Sequence, residues 1–443
     1  MKKVFCLLLA LAMTLSLAAC GGGGKSGGTA EVVFWHSLSG PVGDELQKIV
    51  DEYNAGQGAE KNVHVTAVYQ GYDGTDKQIL AYQTNDKANA CDINVGLTST
   101  IPSMMELDWT VKVSDLYKED SWVPQDSFPA SLVESVSYQG DMVGIPFLNS
   151  TMLLYYNEDM LKAAGFDAPP ATLDELISYT EALTEKNGSE VSRYGFECQV
   201  KRYQLVNYIC AQSTDAYFGD LEGGRAGAMT KITAGENGTL KAFLEKWDKL
   251  VETGGYQYVE GTVAEEFANE TTAMALFSSS KVTNVLDLVG DKFNWSTAPI
   301  PLVNAGDTGS SAVGGSCLVL FDRGDKARVA GAWDFVQYLS TADSQYRIST
   351  NSGYVPTNKA TAELADMQKF WEDAPQYRTA FDVVMNAAPN AQEPMDLTYN
   401  EINTVITDTM RQFCDRQLTV DQAADAIVSG CNQLLDEWHE ANG

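Results

Sequence analysis

Histidine is almost absent from this chain of 443 residues: His36, His64 and His439 are the only three. His64 falls inside an apolar alternating run and His439 near the C-terminus, so an imidazole-built metal site or a Ser/Cys–His triad lacks its parts. Basic residues are scarce too, 30 Lys and Arg against 60 Asp and Glu, a formal net charge of −30. Such a chain is repelled by nucleic acid and by anionic membrane surfaces. Cysteine is sparse and shows no metal-ligand spacing. No metal and no cofactor is expected. After the first eighteen residues there is no further long apolar run, so the body is not expected to span a membrane.

What the N-terminus does contain is ordered. Lys2 and Lys3 precede the apolar stretch Val4–Ala18, a signal-peptide pattern. Leu17-Ala18-Ala19-Cys20 resembles a bacterial lipobox, which makes Cys20 the expected lipidation site. Gly21–Gly28 has no side chains able to build a core and behaves as a coil. The expectation is a signal peptide over 1–19, a lipidated Cys and flexible tether over 20–30, and a body on the outer face of the cytoplasmic membrane. That body would be cell-surface in a single-membrane bacterium and periplasmic otherwise, touching the membrane through the lipid only. Cys91, Cys198, Cys210, Cys317, Cys414 and Cys431 allow up to three disulfides outside the cytoplasm, with Cys198–Cys210 and Cys414–Cys431 the local pairs. A fully reduced set stays open.

The body alternates short strands with amphipathic helices, an α/β pattern, and its roughly 410 residues exceed one hydrophobic core. Glu31–Trp35, Val63–Tyr69 and Asp92–Gly96 read as strands. Pro41 opens a helix whose Val42, Leu46, Ile49, Val50 and Tyr53 share one face. Thr172–Glu175 and Thr419–Gln422 are capping boxes. Polar or small breaks at Phe147–Thr151, Ser310–Ser316 and Ser349–Tyr354 suggest a chain that passes three times between two lobes.

Motif-like fragments fail on context. Gly24-Lys25-Ser26 lacks the upstream glycine, strand and helix of a phosphate loop, and Gly315-Ser316-Cys317-Leu318 lacks the last glycine of a nucleophile elbow. Acid pairs such as Glu265-Glu266 read as solvated helix surface. No enzyme is expected; an extracellular glycoside hydrolase built on paired carboxylates is the alternative from another class, with a structural or adhesive lipoprotein behind it.

Phe34-Trp35-His36-Ser37-Leu38-Ser39-Gly40 and the helix after it resemble the N-terminus of ABC-transporter extracellular solute-binding proteins of family 1, particularly the glycerol-3-phosphate-binding branch. The likeness continues through Pro146–Asn157, Lys162–Gly165, Ala273-Met274 with Ser278–Ser280, Val313–Ser316 and Ser352–Asn358. It implies a two-lobed periplasmic-binding-protein fold (type II) with three inter-lobe crossings. Lobe 1 would be 31–149 plus 313–352, and lobe 2 would be 150–312 plus 353–443.

The resemblance also implies a small-molecule ligand, delivery to the transmembrane subunits of an ABC permease, and a monomer. It places Ser150, Ser278, Gly315 and Tyr354 at ligand contacts. Tyr72 or Asp73 stands for an aromatic contact, Thr98 for an acid that holds glycerol hydroxyls, and Gln199 near a cleft tryptophan. Asn403 stands where that branch has a phosphate-binding Arg, while His36, just after the first strand, is a further candidate. Loss of the Arg argues for a mono- or oligosaccharide over a phosphorylated ligand. The alternative is a glycerol-3-phosphate or glycerophosphodiester binder, with Arg202 or Lys201 supplying the charge from another position.

Overall fold

The computed structural model describes residues 28–118 and 121–442. The signal segment, Cys20 and most of the tether lie outside those residues. Two six-stranded mixed sheets organise the chain. The first takes β1 (Ala30–His36), β2 (Val63–Tyr69), β3 (Ile93–Leu97) and β4 (Thr110–Val111). A small hairpin follows, β5 (Ser137–Tyr138) with β6 (Asp141–Met142), and then β7 (Ile145–Ser150) returns to the first sheet. The second sheet takes β8 (Met152–Asn157), β9 (Glu185–Asn187), β10 (Glu190–Glu197), β11 (Tyr256–Gln257), β12 (Thr272–Ser278) and β13 (Trp295–Pro299). Finally β14 (Gly314–Phe321) rejoins the first, giving the order β2-β1-β3-β14-β4 with β7 also on β14, against β11-β10-β12-β8-β13 with β9 on β10.

Each sheet carries its own core. Phe34, Tyr53, Ile93, Phe147 and Phe335 belong to one buried cluster, and Tyr155, Phe196, Trp247, Phe267 and Phe413 to the other. The expected helix runs Gly40–Ala55 with Leu46, Ile49, Val50 and Tyr53 buried. Both sites cap their helices, and the one at Thr419 closes the full reciprocal box, while at Thr172 the Glu175 carboxylate accepts from the Ala171 amide instead. The Glu175 amide donates to Thr172 Oγ1 at 3.2 Å. Thr419 and Gln422 exchange bonds of 3.0 and 3.3 Å. A cap of this kind stabilises a helix by about 1 kcal/mol. The first sheet is cross-linked by a buried pair: Arg323 donates to both oxygens of Asp92, at 2.8 and 2.5 Å, and the Val33 amide donates to the same carboxylate.

The chain leaves the first sheet at Thr151 between β7 and β8, returns between β13 and β14, and leaves again between Ile348 and Val355, which lie in different cores. Phe147–Ser150, read from sequence as part of a polar break, is instead strand. Its polar backbone is satisfied by β14 on one side and by Val355, whose amide donates to Asn149 O at 2.8 Å, on the other. Only Thr151 interrupts the run. The segment after Ala388 is a strap between the lobes. The Val313 and Glu393 amides exchange bonds with Ala391 and Val313, Met395 sits in the first core, and the Asp396 amide donates to Ser99 O at 3.3 Å. All six described cysteines are free, five of them buried, so neither local disulfide forms.

Candidate functional site

Parallel strands β1, β2 and β3 end at His36, Tyr69 and Leu97; β10, β11 and β12 end at Glu197, Gln257 and Ser278. The carboxyl ends of β3 and β12 meet the crossings: Thr98 Oγ1 donates to Gly315 O at 3.3 Å, and the Ser279 amide donates to Thr151 O at 2.8 Å. Both sheets therefore direct their carboxyl-end loops toward one inter-lobe crevice, where open α/β sheets bind ligands.

The sequence candidates fall around that crevice unequally. Tyr72, 61% exposed, places its hydroxyl 3.4 Å from that of Tyr354, a half-buried ring whose phenol burial pushes well above the usual range. Asp73 faces solvent, with one carboxylate oxygen 3.9 Å from Lys77 Nζ. Thr98 is buried, with its hydroxyl occupied by Gly315 O. Ser150 is buried and its carbonyl accepts from the Tyr203 hydroxyl at 3.1 Å. Gln199 is buried just past β10.

Ser278 is the cap of the turn Ser279–Lys281: its Oγ accepts from the Ser280 amide at 3.3 Å, the bland role a serine takes at such a position. Gly315 has φ +117°, and a Cβ there would lie 2.3 Å from Leu148 O, which explains a glycine at this crossing. Asn403 Oδ1 accepts from the Arg202 amide at 3.3 Å. The His36 ring is buried against Phe34 and Tyr69, and burial holds its pKa below the usual histidine range. Its Nδ1 has no partner at hydrogen-bond geometry, and a backbone interaction with Leu38 opposes the effect of burial.

Arg202 is not a free cation. Its fully buried guanidinium donates to Glu393 at 2.9 Å, to Pro394 O at 2.9 Å and to the Asp396 carboxylate, with its Cζ 4.5 Å from the Tyr399 ring centroid. Burial alone would lower its pKa, but Asp396 and Glu393 raise it above the ordinary value. Two acids therefore neutralise the one arginine nearest Asn403, and it has no charge to offer a phosphate.

Tyr399 was invisible to sequence reasoning; Glu393, in first place, and burial push its phenol up to about 12. Glu197 was missed as well. It is 1% exposed, neither carboxyl oxygen has a partner, and burial with Glu266 nearby pushes it up to about 8. Neither residue sits in a recognisable motif. Among the described residues no group of three or more His, Cys, Asp or Glu is placed to hold a metal ion, and no helix is long and apolar enough to cross a membrane.

Residues 48–379 match the bacterial extracellular solute-binding protein family. The chain belongs to that family. Its members are binding proteins rather than enzymes. The sn-glycerol-3-phosphate-binding periplasmic protein of Escherichia coli (strain K12) is 26% identical over 461 residues, covering 100% of this chain and 99% of that one. The cyclic alpha-maltosyl-1,6-maltose binding protein from Arthrobacter globiformis superposes with a TM-score of 0.77 at 19% identity, over 93% of this chain and 100% of the other. UgpB from Mycobacterium tuberculosis, in complex with glycerophosphocholine, gives a TM-score of 0.73 at 17% identity, over 93% and 100%. The solute-binding protein therefore has the two-lobed periplasmic fold expected from its motifs.

Proposed function

We propose that this solute-binding protein captures a carbohydrate, mono- or oligosaccharide, in the inter-lobe crevice and delivers it to an ABC permease. The observation that carries this reading is the chemistry around the crossings. Tyr72, Tyr354 and Tyr399 offer rings and hydroxyls, Asn403 an amide, and the nearby Arg202 is neutralised. Sugars need hydrogen bonds for their hydroxyls and flat rings for their C–H faces. A ligand that must later be released suits a Kd of about 1 μM, or roughly −8 kcal/mol. Losing a ring and a buried hydrogen bond costs about 1–3 kcal/mol. Tyr354→Ala should therefore weaken the best saccharide from a thermal-shift screen by about ten- to a hundredfold in titration calorimetry, with the melting temperature of the unliganded protein little changed. Unaltered affinity would remove Tyr354 from the site.

The full-length likeness to a glycerol-3-phosphate-binding protein favours the second reading, a glycerol-phosphate or glycerophosphodiester binder. Micromolar binding of glycerol-3-phosphate with no saccharide bound would establish it in place of the first.

Capture would proceed by hinge closure between lobes spanning 31–149 plus 313–352 and 150–312 plus 353–443, since three strands of chain join the two cores. Saturating ligand should shrink the radius of gyration in small-angle scattering; an unchanged profile with calorimetrically confirmed ligand counts against closure. The reading also includes acylation at Cys20. Cys20→Ala should move the protein from the membrane fraction to the medium or periplasm, and retention after a high-salt wash would remove the anchor.

A further inference from the structure

The second lobe carries, at the carboxyl end of its sheet, a charge feature that the carbohydrate reading leaves unused. Just past the ends of β10 and β12 lies a cavity of about 190 Å³ whose lining includes Lys201, Lys281, Gln199, Gln204 and Asn284. Lys201 directly precedes the helix Arg202–Cys210, and Lys281 ends the turn that Ser278 caps. Some lysines of this strongly acidic chain sit on acids, Lys231 on Glu236, Lys241 on Asp421 and Lys246 on Asp174, all within 2.9 Å, and others, such as Lys162, Lys186 and Lys249, pair with no acid among the described residues. Lys201 and Lys281 have no such partner among the described residues, although one carboxylate, Glu265, shares the cavity rim. Glu197, at the same end of the sheet, is buried with neither carboxyl oxygen partnered, and that burial favours its neutral form.

The amides are oriented by use. Gln204 Oε1 accepts from the Lys201 backbone amide at 3.2 Å, which leaves its side-chain N–H groups as the free donors. Two unpaired ammonium groups and amide donors around one small cavity form a receptor for an oxyanion; lysine binds such a group as a point charge. The cavity is smaller than the roughly 300–1,000 Å³ of whole-ligand pockets, so it holds one substituent of a ligand lying in the larger crevice. The repulsion from the net negative surface is screened over about 8 Å at physiological salt, so the local pair can act against it.

We propose that this cavity is an anionic-group subsite, and that the transported ligand carries a carboxylate or phosphate bound between Lys201 and Lys281. The proposal deepens the carbohydrate reading and rests on it for the remainder of the ligand: an acidic saccharide is the substrate class it names. The charge is read at this cavity, from Lys201 together with Lys281, and not at Asn403.

The test uses matched pairs in calorimetry: digalacturonate with galactobiose, a glucuronate-terminated disaccharide with its glucose counterpart, and glycerol-3-phosphate with glycerol. At least one anionic member should bind ten times or more tighter than its neutral counterpart, with the preference falling as salt rises. The double variant Lys201→Gln/Lys281→Gln, both positions being exposed, should keep the melting temperature of the unliganded protein and lose that preference. A carboxylate preference and a phosphate preference each support the subsite and identify its source. If a phosphate alone is bound and the double variant abolishes it, the subsite stands and the carbohydrate reading falls. If neutral saccharides bind as well as acidic ones, the carbohydrate reading stands and the subsite is overturned. Retained preference in the double variant, or no binding by any member of the three pairs, overturns the subsite too.

Discussion

Arg202→Ala should destabilise the protein by about 3–5 kcal/mol, the cost of breaking a buried ion pair from one side. The guanidinium is fully buried and, among the described residues, is the sole cation bonded to the side chains of both Glu393 and Asp396, so its removal leaves two buried carboxylates without that partner. In the wild type, burial already raises the pKa of both acids, with Arg202 opposing it. Without Arg202 they rise further. A carboxyl whose folded pKa exceeds its unfolded value contributes stability below the unfolded value that is lost as pH climbs through the folded one. The deficit of the variant should therefore be larger at pH 7.5 than at pH 5 in urea denaturation. A deficit that is absent, or that grows as pH falls, would show that the acids are not held by this arginine. Because the strap carrying them also reaches Ser99 and places Met395 in the first core, the variant should loosen the lobes as well.

This cluster also shows where sequence reading stops. The helix Gly40–Ala55 was legible because its apolar spacing is local, and the caps at Thr172 and Thr419 because their partners are three residues away. The pairing of Arg202 with Glu393 and Asp396 spans 191 and 194 residues, and nothing in either segment announces the other. Phe147–Ser150 was read as a break because polar side chains mark loops when nothing covers them; here β14, more than 160 residues onward, covers them. Family motifs brought Tyr72, Gly315 and Tyr354 to the crossings, which local pattern alone could not do. They gave no hint that Tyr399 stacks on Arg202 or that Glu197 is buried without a partner, since each depends on what packs around it.

Gly315→Ala should cost about 2–4 kcal/mol and, in whatever protein folds, shift the resting angle between the lobes. Gly315 has φ +117°, a region that side chains avoid, and strained residues cost about 1–3 kcal/mol each. The added Cβ would also meet Leu148 O at 2.3 Å and Asn149 Cα at 2.8 Å, both backbone atoms that a rotamer change cannot move. Leu148 is itself at φ +58° in β7, and the β7–β14 register slips between Gly315 and Ser316. Two unusual backbone conformations thus face each other where two crossings run side by side, and β-bulges bend and twist the strands that carry them. Relief of the overlap requires β7 and β14 to separate, which moves the Gly315 carbonyl away from Thr98 and Val355 away from Asn149. Three readouts follow: a lower melting temperature, a changed radius of gyration without ligand, and a smaller ligand-induced change than in the wild type. Gly314→Ala is the comparison, because its Cβ would meet a side chain instead of backbone, the Tyr203 ring at 2.7 Å, whose displacement costs its hydroxyl bonds to Ser150 O and Ala312 O. If Gly315→Ala matched the wild type in all three, the slipped register would be incidental to closure. If it lowered stability alone, Gly315 would serve packing at the crossing and leave the angle between the lobes to Thr151 and the segment 349–354.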